Sequence, residues 1–211
     1  MNWLEKLRDQ AQRPPVLPRI PLLWNGQVIG TVAQGFLDEV GVECLQGQRV
    51  ATVERGAVRV LGVATHAVHL VGLAPDGRMW VQQRSANKSN HPHLWDTLMG
   101  GMVAAADTLE QALARETREE AGLDIAQLHN VQHGGQLQFF CPSDEVQNGI
   151  GYMRERIDWY SATVPQGMAP HNEDGEVQQF QCLDKASLLE WLVQGKFTPE
   201  ASLVLGDYLA L

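Results

Sequence analysis

The sequence predicts an α/β protein, in which a mixed β-sheet carries helices on both sides and a small α+β unit precedes it. Strand-like apolar runs alternate with amphipathic helical patterns over most of the chain, an order that favours helix layers on both faces of a sheet. Two apolar runs flanking Asn25-Gly26 predict a separate N-terminal hairpin. We therefore expect a small unit over residues 1–62 and the α/β domain over residues 63–211.

Length, charge and cysteine content narrow the class of protein. The chain has 211 residues, enough for one good core plus a small extension, and its net charge of -9 with no basic run argues against a nucleic-acid partner. Three cysteines without metal-ligand spacing indicate reduced thiols. No apolar run approaches the roughly 18 residues of a membrane span, and the charged N-terminus is unlike a signal peptide. We expect a cytoplasmic protein, monomeric or homodimeric, without a membrane partner.

The N-terminal unit is predicted to contain one helix, one hairpin and less regular elements. An amphipathic pattern over residues 1–12 ends at Pro14-Pro15, because proline cannot continue a helix. The hairpin is expected over residues 20–32. A short helix over residues 33–40 and alternating short strands over residues 48–63 complete the expectation for this unit.

The larger domain is predicted to begin with two strands joined by a Pro-Asp-Gly turn. The helix that follows has clear boundaries, since Thr108 with Gln111 forms a capping-box pattern and Gly122 suits a left-handed C-terminal residue. Two helices close the chain. The strands are expected at residues 65–74, 79–84, 136–140, 156–164 and 177–183, and the closing helices at residues 184–194 and 199–210.

The most informative residues are three glutamates in this first helix. Glu116, Glu119 and Glu120 fall at i, i+3 and i+4, which places their carboxylates on one helix face. Like charges so close repel one another, so a counter-charge is expected, and Mg²⁺ with its preference for oxygen ligands fits. Arg115 could pair with Glu119 four residues later, or with Asp107 in the preceding loop.

The string from Gly101 to Leu123 reads GMVAAADTLEQALARETREEAGL. It resembles the signature of the Nudix hydrolase family, GX5EX7REUXEEXGU, in which U is a bulky aliphatic residue. Two positions depart from that signature: Asp107 stands where Glu is usual, and Thr117 where an aliphatic residue is usual. Asp keeps the charge but is one methylene shorter, and Thr can still pack through its methyl group.

The resemblance implies an α/β/α sandwich and hydrolysis of a diphosphate linked to another group. It also implies that Glu116, Glu119 and Glu120 are the ligands of Mg²⁺, with Mn²⁺ as an alternative. A backbone carbonyl of the Gly100-Gly101 pair, assigned to Gly101, would join them. The residues expected to act in catalysis are Glu119, Glu116 and Arg115, because one glutamate would orient or deprotonate the attacking water.

Other candidate site residues lie outside the signature. Glu155 is a candidate catalytic carboxylate, with Asp144-Glu145 as an alternative, although an exposed ion pair with Arg154 or Arg156 is the commoner state of such a residue. Arg84 is a candidate for contacting substrate phosphate, and Trp95 for contacting the organic group; a surface arginine and a core tryptophan are the alternatives. The His91-x-His93 pair offers only two metal ligands, so we do not expect a second metal there.

The resemblance extends beyond the signature to most of the chain. The segments IPLLWNGQVIG, LWDTLMGGMV and DGEVQQFQCL resemble fungal and plant Nudix proteins that carry an extra N-terminal domain of the DUF4743 kind. These are related to the part fused to thiamine pyrophosphokinase in some fungi. Members of that group hydrolyse thiamine diphosphate, and especially its oxidised analogues, to monophosphates, so these are the expected substrates.

Three alternative functions stay open from the sequence. One is hydrolysis of a nucleoside diphosphate derivative such as ADP-ribose, NADH or an oxidised nucleotide. Another is isomerisation of isopentenyl diphosphate by an enzyme of the same fold, although the intact glutamates favour hydrolysis. The third is a non-catalytic nucleotide sensor, which the three retained glutamates also disfavour.

Overall fold

A computed structural model describes residues 2–24, 26–33, 55–143, 146 and 149–211 of the protein. The chain divides into two compact units. The first comprises residues 1–8, 66–137 and 157–211, and the second comprises residues 9–65 and 138–156. The sequence-based boundary at residue 62 assigns residues 1–8 to the N-terminal unit and residues 138–156 to the larger domain, whereas this division does the reverse. The boundary stays a prediction.

The second unit contains the predicted hairpin. Strands β1 (Arg19–Trp24) and β2 (Gln27–Ala33) pair in antiparallel register, and Gly26 takes a left-handed φ of 77° at the turn. The short strands predicted within residues 48–63 are wrong where the chain is described. A 3₁₀ turn at Arg55–Ala57 leads into helix α2 (Val58–Leu61), which Gly62 ends with a φ of 51°. The short helix predicted after Ala33 lies outside the described residues, as do residues 48–54.

A seven-stranded sheet forms the centre of the fold, in the order β5-β4-β3-β8-β7, with β6 paired to β3 and β9 paired to β4. The helix predicted at the N-terminus is present as α1 (Trp3–Gln10). The other helices are α3 (Leu109–Ala121), α4 (Lys185–Val193) and α5 (Pro199–Tyr208). The strands are β3 (Ala64–Leu73), β4 (Met79–Arg84), β5 (Trp95–Asp96), β6 (Met99–Met102), β7 (His129–Pro142), β8 (Tyr152–Thr163) and β9 (Val177–Leu183).

Both faces of the sheet are covered, as the burial of β3 shows. Val68 and Leu70 point to one face and pack in a core cluster with Ala112 and Leu113 of α3. Val71 points to the other face and is also buried. A strand that is buried on both sides requires a layer on each face, so the predicted α/β/α sandwich with a mixed sheet is confirmed.

Two strands were not predicted, and two are longer than predicted, because β7 and β8 each begin several residues before the expected start. Strands β5 and β6 span only two and four residues, too short for an alternating pattern to be recognised. Strand β7 begins at His129 instead of residue 136. Its first part could not be recognised in the sequence, because residues 129–134 are exposed and show no apolar alternation. Within the described part of the chain, no helix is both long and apolar enough for a bilayer crossing.

Helix α1 contributes to the core of the first unit through Leu4. This side chain is 1% exposed and packs against Gly206 of α5, where an added Cβ would lie 2.8 Å from a Leu4 methyl carbon. We expect Leu4→Ala to lower the free energy of unfolding by about 3 kcal/mol, because it leaves a cavity in the core. Urea unfolding would measure the change. Leu23→Ala, at a position 52% exposed, is the control and should cost far less; equal losses would contradict the assignment of α1 to this core.

Candidate active site

Helix α3 has the boundaries that the sequence predicts. The Thr108 hydroxyl accepts a hydrogen bond from the Gln111 backbone N–H at 3.2 Å, and the Gln111 side chain accepts one from the Thr108 N–H at 2.8 Å. This reciprocal pair satisfies two of the free donors at a helix N-terminus. Gly122 ends the helix with a φ of 63°. The three glutamates therefore lie in the last two turns of the helix.

Glu120 is the most buried of the three, at 1% exposure, and is bonded from three directions. Its Oε2 accepts hydrogen bonds from Gln82 Nε2 at 2.7 Å and from the Gly100 backbone N–H at 3.1 Å. Its Oε1 accepts one from Lys88 Nζ at 3.0 Å, and the same ammonium contacts Glu176. A buried carboxylate is tolerated only when paired and hydrogen-bonded, and here β4, β6 and the β4–β5 loop supply the partners.

Glu116 lies directly over the backbone of Gly101. A Cβ added to Gly101 would fall 2.1 Å from the carboxyl carbon of Glu116 and 2.4 Å from its Oε2. Both distances are too short for any real contact, so a side chain at residue 101 would force the Glu116 carboxylate to move from this position.

Arg115 joins the helix to the loop before it. Its Nε donates to Asp107 at 3.0 Å, and its Nη1 donates to Glu116 at 2.8 Å and to Glu119 at 3.0 Å. Its Nη2 donates to the Met102 carbonyl at 3.3 Å. Both pairings predicted for this arginine are thus present, and the shorter Asp107 still reaches it.

Burial and neighbouring charges shift the pKa values of Glu116, Lys88 and Arg115. Burial raises the pKa of Glu116, and the charge of Glu120 adds to this effect while Arg115 opposes it. Burial alone would lower the pKa of Lys88, but Glu120 and Glu176 outweigh it and the pKa is raised. For Arg115, burial is likewise outweighed by its carboxylate partners, and its pKa is raised. Both cations therefore stay charged beside the glutamates.

The donor set suits a hard divalent cation, although no group of three metal-binding side chains is assembled among the described residues. Each glutamate is instead bonded to Arg115 or Lys88. In a strand, the N–H and C=O of one residue point to the same edge. Since the Gly100 N–H donates to Glu120, the Gly100 carbonyl faces the same edge, whereas Gly101 faces the opposite one. Gly100 is therefore the better oxygen donor, and the predicted role of Gly101 as a ligand is not supported by its orientation.

Glu155 lies in the second unit and is buried. Its Oε2 accepts hydrogen bonds from Arg59 Nη2 at 3.0 Å and Thr65 Oγ1 at 2.8 Å. The expected exposed ion pair with Arg154 or Arg156 is wrong, because the partner is the buried Arg59. These partners explain why a charged residue is held there, and the catalytic role of Glu155 stays a prediction. Asp144-Glu145 lies outside the described residues.

Arg84 and Trp95 are engaged within the first unit. Arg84 donates to the Asn90 carbonyl at 2.9 and 3.1 Å and to Asp96 at 3.4 Å, which fixes the loop after β4. Trp95 is 7% exposed and packs on Trp191, with ring centroids 4.9 Å apart. The structure places this tryptophan in the core, and its role in substrate binding stays a prediction. His91 and His93 lie in the loop with left-handed φ angles of 49° and 65°.

The sequence did not reveal the residues that hold Glu120. Gln82 lies on a strand whose pattern predicted only packing, and Lys88 lies in an irregular loop with no periodicity. Glu176 precedes β9 after a turn. The one available signal was the unbalanced charge of the glutamates, which requires nearby cations without saying where in the chain they are.

Comparison with known proteins places the chain in a family. Residues 64–201 match the model of the NUDIX domain, and the chain therefore belongs to the Nudix family. It is 26% identical over 162 residues to Nudix hydrolase 20, chloroplastic, of Arabidopsis thaliana, covering 75% of this chain and 42% of that protein. It is 32% identical over 148 residues to the isopentenyl-diphosphate Delta-isomerase of Enterobacter sp. (strain 638), covering 70% of this chain and 76% of that protein.

A crystal structure of DR0079 from Deinococcus radiodurans has the same fold, with a TM-score of 0.55 and 21% identity, and the match covers 90% of this chain and 99% of that one. This likeness concerns the fold alone. The chain spans about half the length of the plant and yeast relatives that it matches. The expectation of a Nudix hydrolase is supported by the family match and by the plant hydrolases.

Thr117, one of the two departures from the signature, is fully buried, and its hydroxyl has no hydrogen-bond partner within the described ranges. Burying an unpaired hydroxyl costs roughly 1–3 kcal/mol. We expect Thr117→Val, which has nearly the same shape, to raise the free energy of unfolding by about 1 kcal/mol. Chemical denaturation would measure it. A loss of stability in this variant would mean that the hydroxyl has a partner after all.

The raised pKa of Glu116 predicts a pH-dependent effect of Glu116→Gln. The folded state disfavours the ionised carboxylate, so wild-type stability falls as pH rises from the ordinary carboxyl pKa through the raised one. Glutamine stays neutral, so in chelator the variant should gain stability relative to wild type over this range. Urea unfolding at several pH values would measure the difference. Glu110→Gln is the control. Hydrogen bonding lowers the pKa of Glu110, so this variant should lose stability relative to wild type as the pH rises.

Proposed function

We propose that this chain is a divalent-metal-dependent hydrolase of a small organic diphosphate, acting on thiamine diphosphate or its oxidised analogues and releasing the monophosphate. The observation that carries the proposal is the set of carboxylates in the last turns of α3, two of which lie against Gly100 and Gly101 of β6. Phosphoryl transfer requires positioned charge more than covalent chemistry, and these carboxylates are the hard oxygen donors that a divalent cation prefers.

Glu116, Glu119, Glu120 and the Gly100 carbonyl would hold the ion, Mg²⁺ or Mn²⁺, since all four offer the hard oxygen ligands that these ions prefer. When bound, the ion supplies Lewis acidity and lowers the pKa of a bound water. Glu120 is fixed by Gln82 and Gly100 and supplies an immobile oxygen. Glu116 is held in place by Arg115.

The remaining residues act on the substrate and the water. Glu119 is the most exposed of the three glutamates, at 48% of its side chain, so its carboxylate is best placed to accept a proton from water. The Lys88 ammonium, beside Glu120, carries a positive charge that can neutralise a non-bridging phosphate oxygen. Arg115 keeps the loop and the helix together through Asp107.

The choice of thiamine compounds rests on the sequence resemblance, which extends over the hairpin, the approach to α3 and the C-terminal strand. A second candidate is a nucleoside diphosphate derivative such as ADP-ribose, since the family match gives no preference for the organic group. Isopentenyl diphosphate belongs in the test as well, because an isomerase of that substrate is among the relatives.

The test of the proposed function is a matched substrate panel with Mg²⁺ or Mn²⁺. It contains thiamine diphosphate, its oxo and oxidised analogues, ADP-ribose, NADH and isopentenyl diphosphate. Phosphate and monophosphate release, measured alongside isomer formation, should show preferential cleavage of the thiamine compounds. Preference for a nucleotide would transfer the proposal to the second candidate, and isomer formation without phosphate release would overturn hydrolysis.

The same assay tests the role of Glu119. Glu119→Gln keeps the shape of the side chain and removes its charge, so we expect kcat to fall by about 100-fold or more with the fold intact. Glu110→Gln makes the same chemical change at an exposed position in the first turn of α3 and should retain activity. Near wild-type turnover by Glu119→Gln would show that another group binds the metal and activates the water.

A further inference from the structure

The Lys88 ammonium is bonded to one oxygen of the most buried glutamate. Its Nζ donates to Glu120 Oε1 at 3.0 Å and also contacts Glu176 Oε2. The Lys88 side chain is 12% exposed and that of Glu120 is 2% exposed, so this ion pair is largely shielded from water. One ammonium is thus shared between helix α3 and the residue that precedes β9.

The two oxygens of Glu120 differ in the groups that bind them. Oε2 accepts hydrogen bonds from Gln82 Nε2 and from the Gly100 N–H, both of which belong to strands of the sheet. Oε1 accepts its hydrogen bond from Lys88, at the end of a flexible side chain. A divalent cation can bind Oε1 without disturbing the strands, but it then competes with the ammonium, because two positive charges on one oxygen atom repel each other.

A buried acceptor beside Glu120 indicates that a further ligand binds there. Gln82 is 1% exposed, and its Oε1 has no hydrogen-bond partner within the described parts of the chain, although buried polar atoms nearly always have one. Since the same amide donates to Glu120 Oε2 at 2.7 Å, this oxygen lies within about 5 Å of that carboxylate. A divalent cation supplies the missing donor through a water ligand, because Mg²⁺ usually keeps several waters.

The backbone around Lys88 is held by hydrogen bonds, so the ammonium moves by rotation of its own side chain. The Lys88 N–H donates to the Ser85 carbonyl at 3.2 Å, and the Ser85 N–H donates to the Glu176 carbonyl at 2.9 Å. These bonds keep Lys88 and Glu176 side by side. Lysine suits such a movement because its charge lies at the end of a flexible four-carbon stem. The Glu176 side chain is 46% exposed, so an ammonium that stays with it can move toward solvent.

We propose that Lys88 is an internal counter-ion of Glu120 that a divalent cation displaces, and that the displaced ammonium stays with Glu176. The proposal rests on the proposed function and gives Lys88 a positioning role in it. The ammonium becomes available to a phosphate oxygen only after the cation has taken its place on Oε1. One cation is exchanged for another, so the buried carboxylate is never left without a positive partner.

Calorimetric titration with Mn²⁺ tests the competition. Lys88→Met removes the ammonium and keeps an unbranched side chain, so we expect the dissociation constant for Mn²⁺ to fall about tenfold, the factor that one charged hydrogen bond represents. Arg118→Met is the matched control. It removes the same charge at an exposed position beside Glu119, and side chains two apart on a helix, such as Arg118 and Glu120, do not face each other. Unchanged or weaker binding by Lys88→Met, or an equal gain in Arg118→Met, overturns the proposal.

Thermal unfolding in chelator and in saturating Mn²⁺ provides a second readout that does not depend on turnover. In chelator, Lys88→Met leaves the buried Glu120 without its counter-ion, so the variant should unfold at a lower temperature than wild type. In Mn²⁺ the ion takes the place of the ammonium, so this difference should become much smaller. An equal loss under both conditions would mean that Lys88 stays on Glu120 when the ion binds, which overturns the displacement.

Glu176→Gln tests where the ammonium goes. This variant lacks the carboxylate that keeps the displaced ammonium, so it should bind Mn²⁺ more weakly than wild type. On the Lys88→Met background, Glu176→Gln should have no further effect, because no ammonium is present. The same weakening on both backgrounds would show that Glu176 acts through its charge alone and would overturn the transfer to Glu176.

A crystal structure of the wild-type protein grown with Mn²⁺ tests the displacement without any variant, in case Lys88→Met does not fold. We expect the ion at Glu120 Oε1 and the ammonium on Glu176. An ammonium still within hydrogen-bond distance of Oε1 overturns the proposal, as does a protein that binds no Mn²⁺. These outcomes are separate from turnover. Displacement without hydrolysis of any substrate in the panel leaves the role of Lys88 standing and refutes the proposed function, whereas hydrolysis together with unchanged Mn²⁺ affinity in Lys88→Met does the reverse.

Discussion

The buried carboxylate of Glu120 is the interaction on which the geometry of the site depends. It receives hydrogen bonds from β4 through Gln82, from β6 through Gly100 and from the β4–β5 loop through Lys88. Each partner belongs to a different segment, so satisfying one buried charge fixes α3 relative to the sheet and the loop. Removal of any partner would leave a charge in the interior, which is far more costly than the net stability that such a bond adds.

Arg115 links the more exposed carboxylates of α3 to the preceding loop and to β6. Its guanidinium forms bonds in several directions with Asp107, Glu116, Glu119 and the Met102 carbonyl. A lysine could not do so, because an ammonium lacks the planar fork that spreads its donors. On this helix face, Glu120 is buried and fixed by hydrogen bonds, Glu116 lies over Gly101 and is bonded to Arg115, and Glu119 is at the surface. These different surroundings let three identical side chains take different roles.

The sequence predicted the regular parts of this molecule and missed those defined by contacts between distant segments. The hairpin around Gly26, the caps of α3 and the Arg115 pairs are local and were all predicted correctly. Strands β5 and β6 were missed because they are too short to show a period. Lys88 and Gln82 were missed because a residue that neutralises a buried charge need only be close in space. The role of Trp95 could not be decided from the sequence, because an aromatic residue before the signature fits the core as well as a pocket.

The contact between Glu116 and Gly101 has a consequence for ion size. The absence of a side chain at residue 101 lets the Glu116 carboxylate lie directly against the backbone of β6, next to the carbonyl oxygens of that strand. Mg²⁺ requires oxygens at 2.0–2.1 Å and Ca²⁺ at 2.3–2.6 Å, a difference of a few tenths of an ångström. A cation held between this helix and this strand would thus be selected by how far the Glu116 carboxylate can shift over Gly101 as much as by the charge of its ligands.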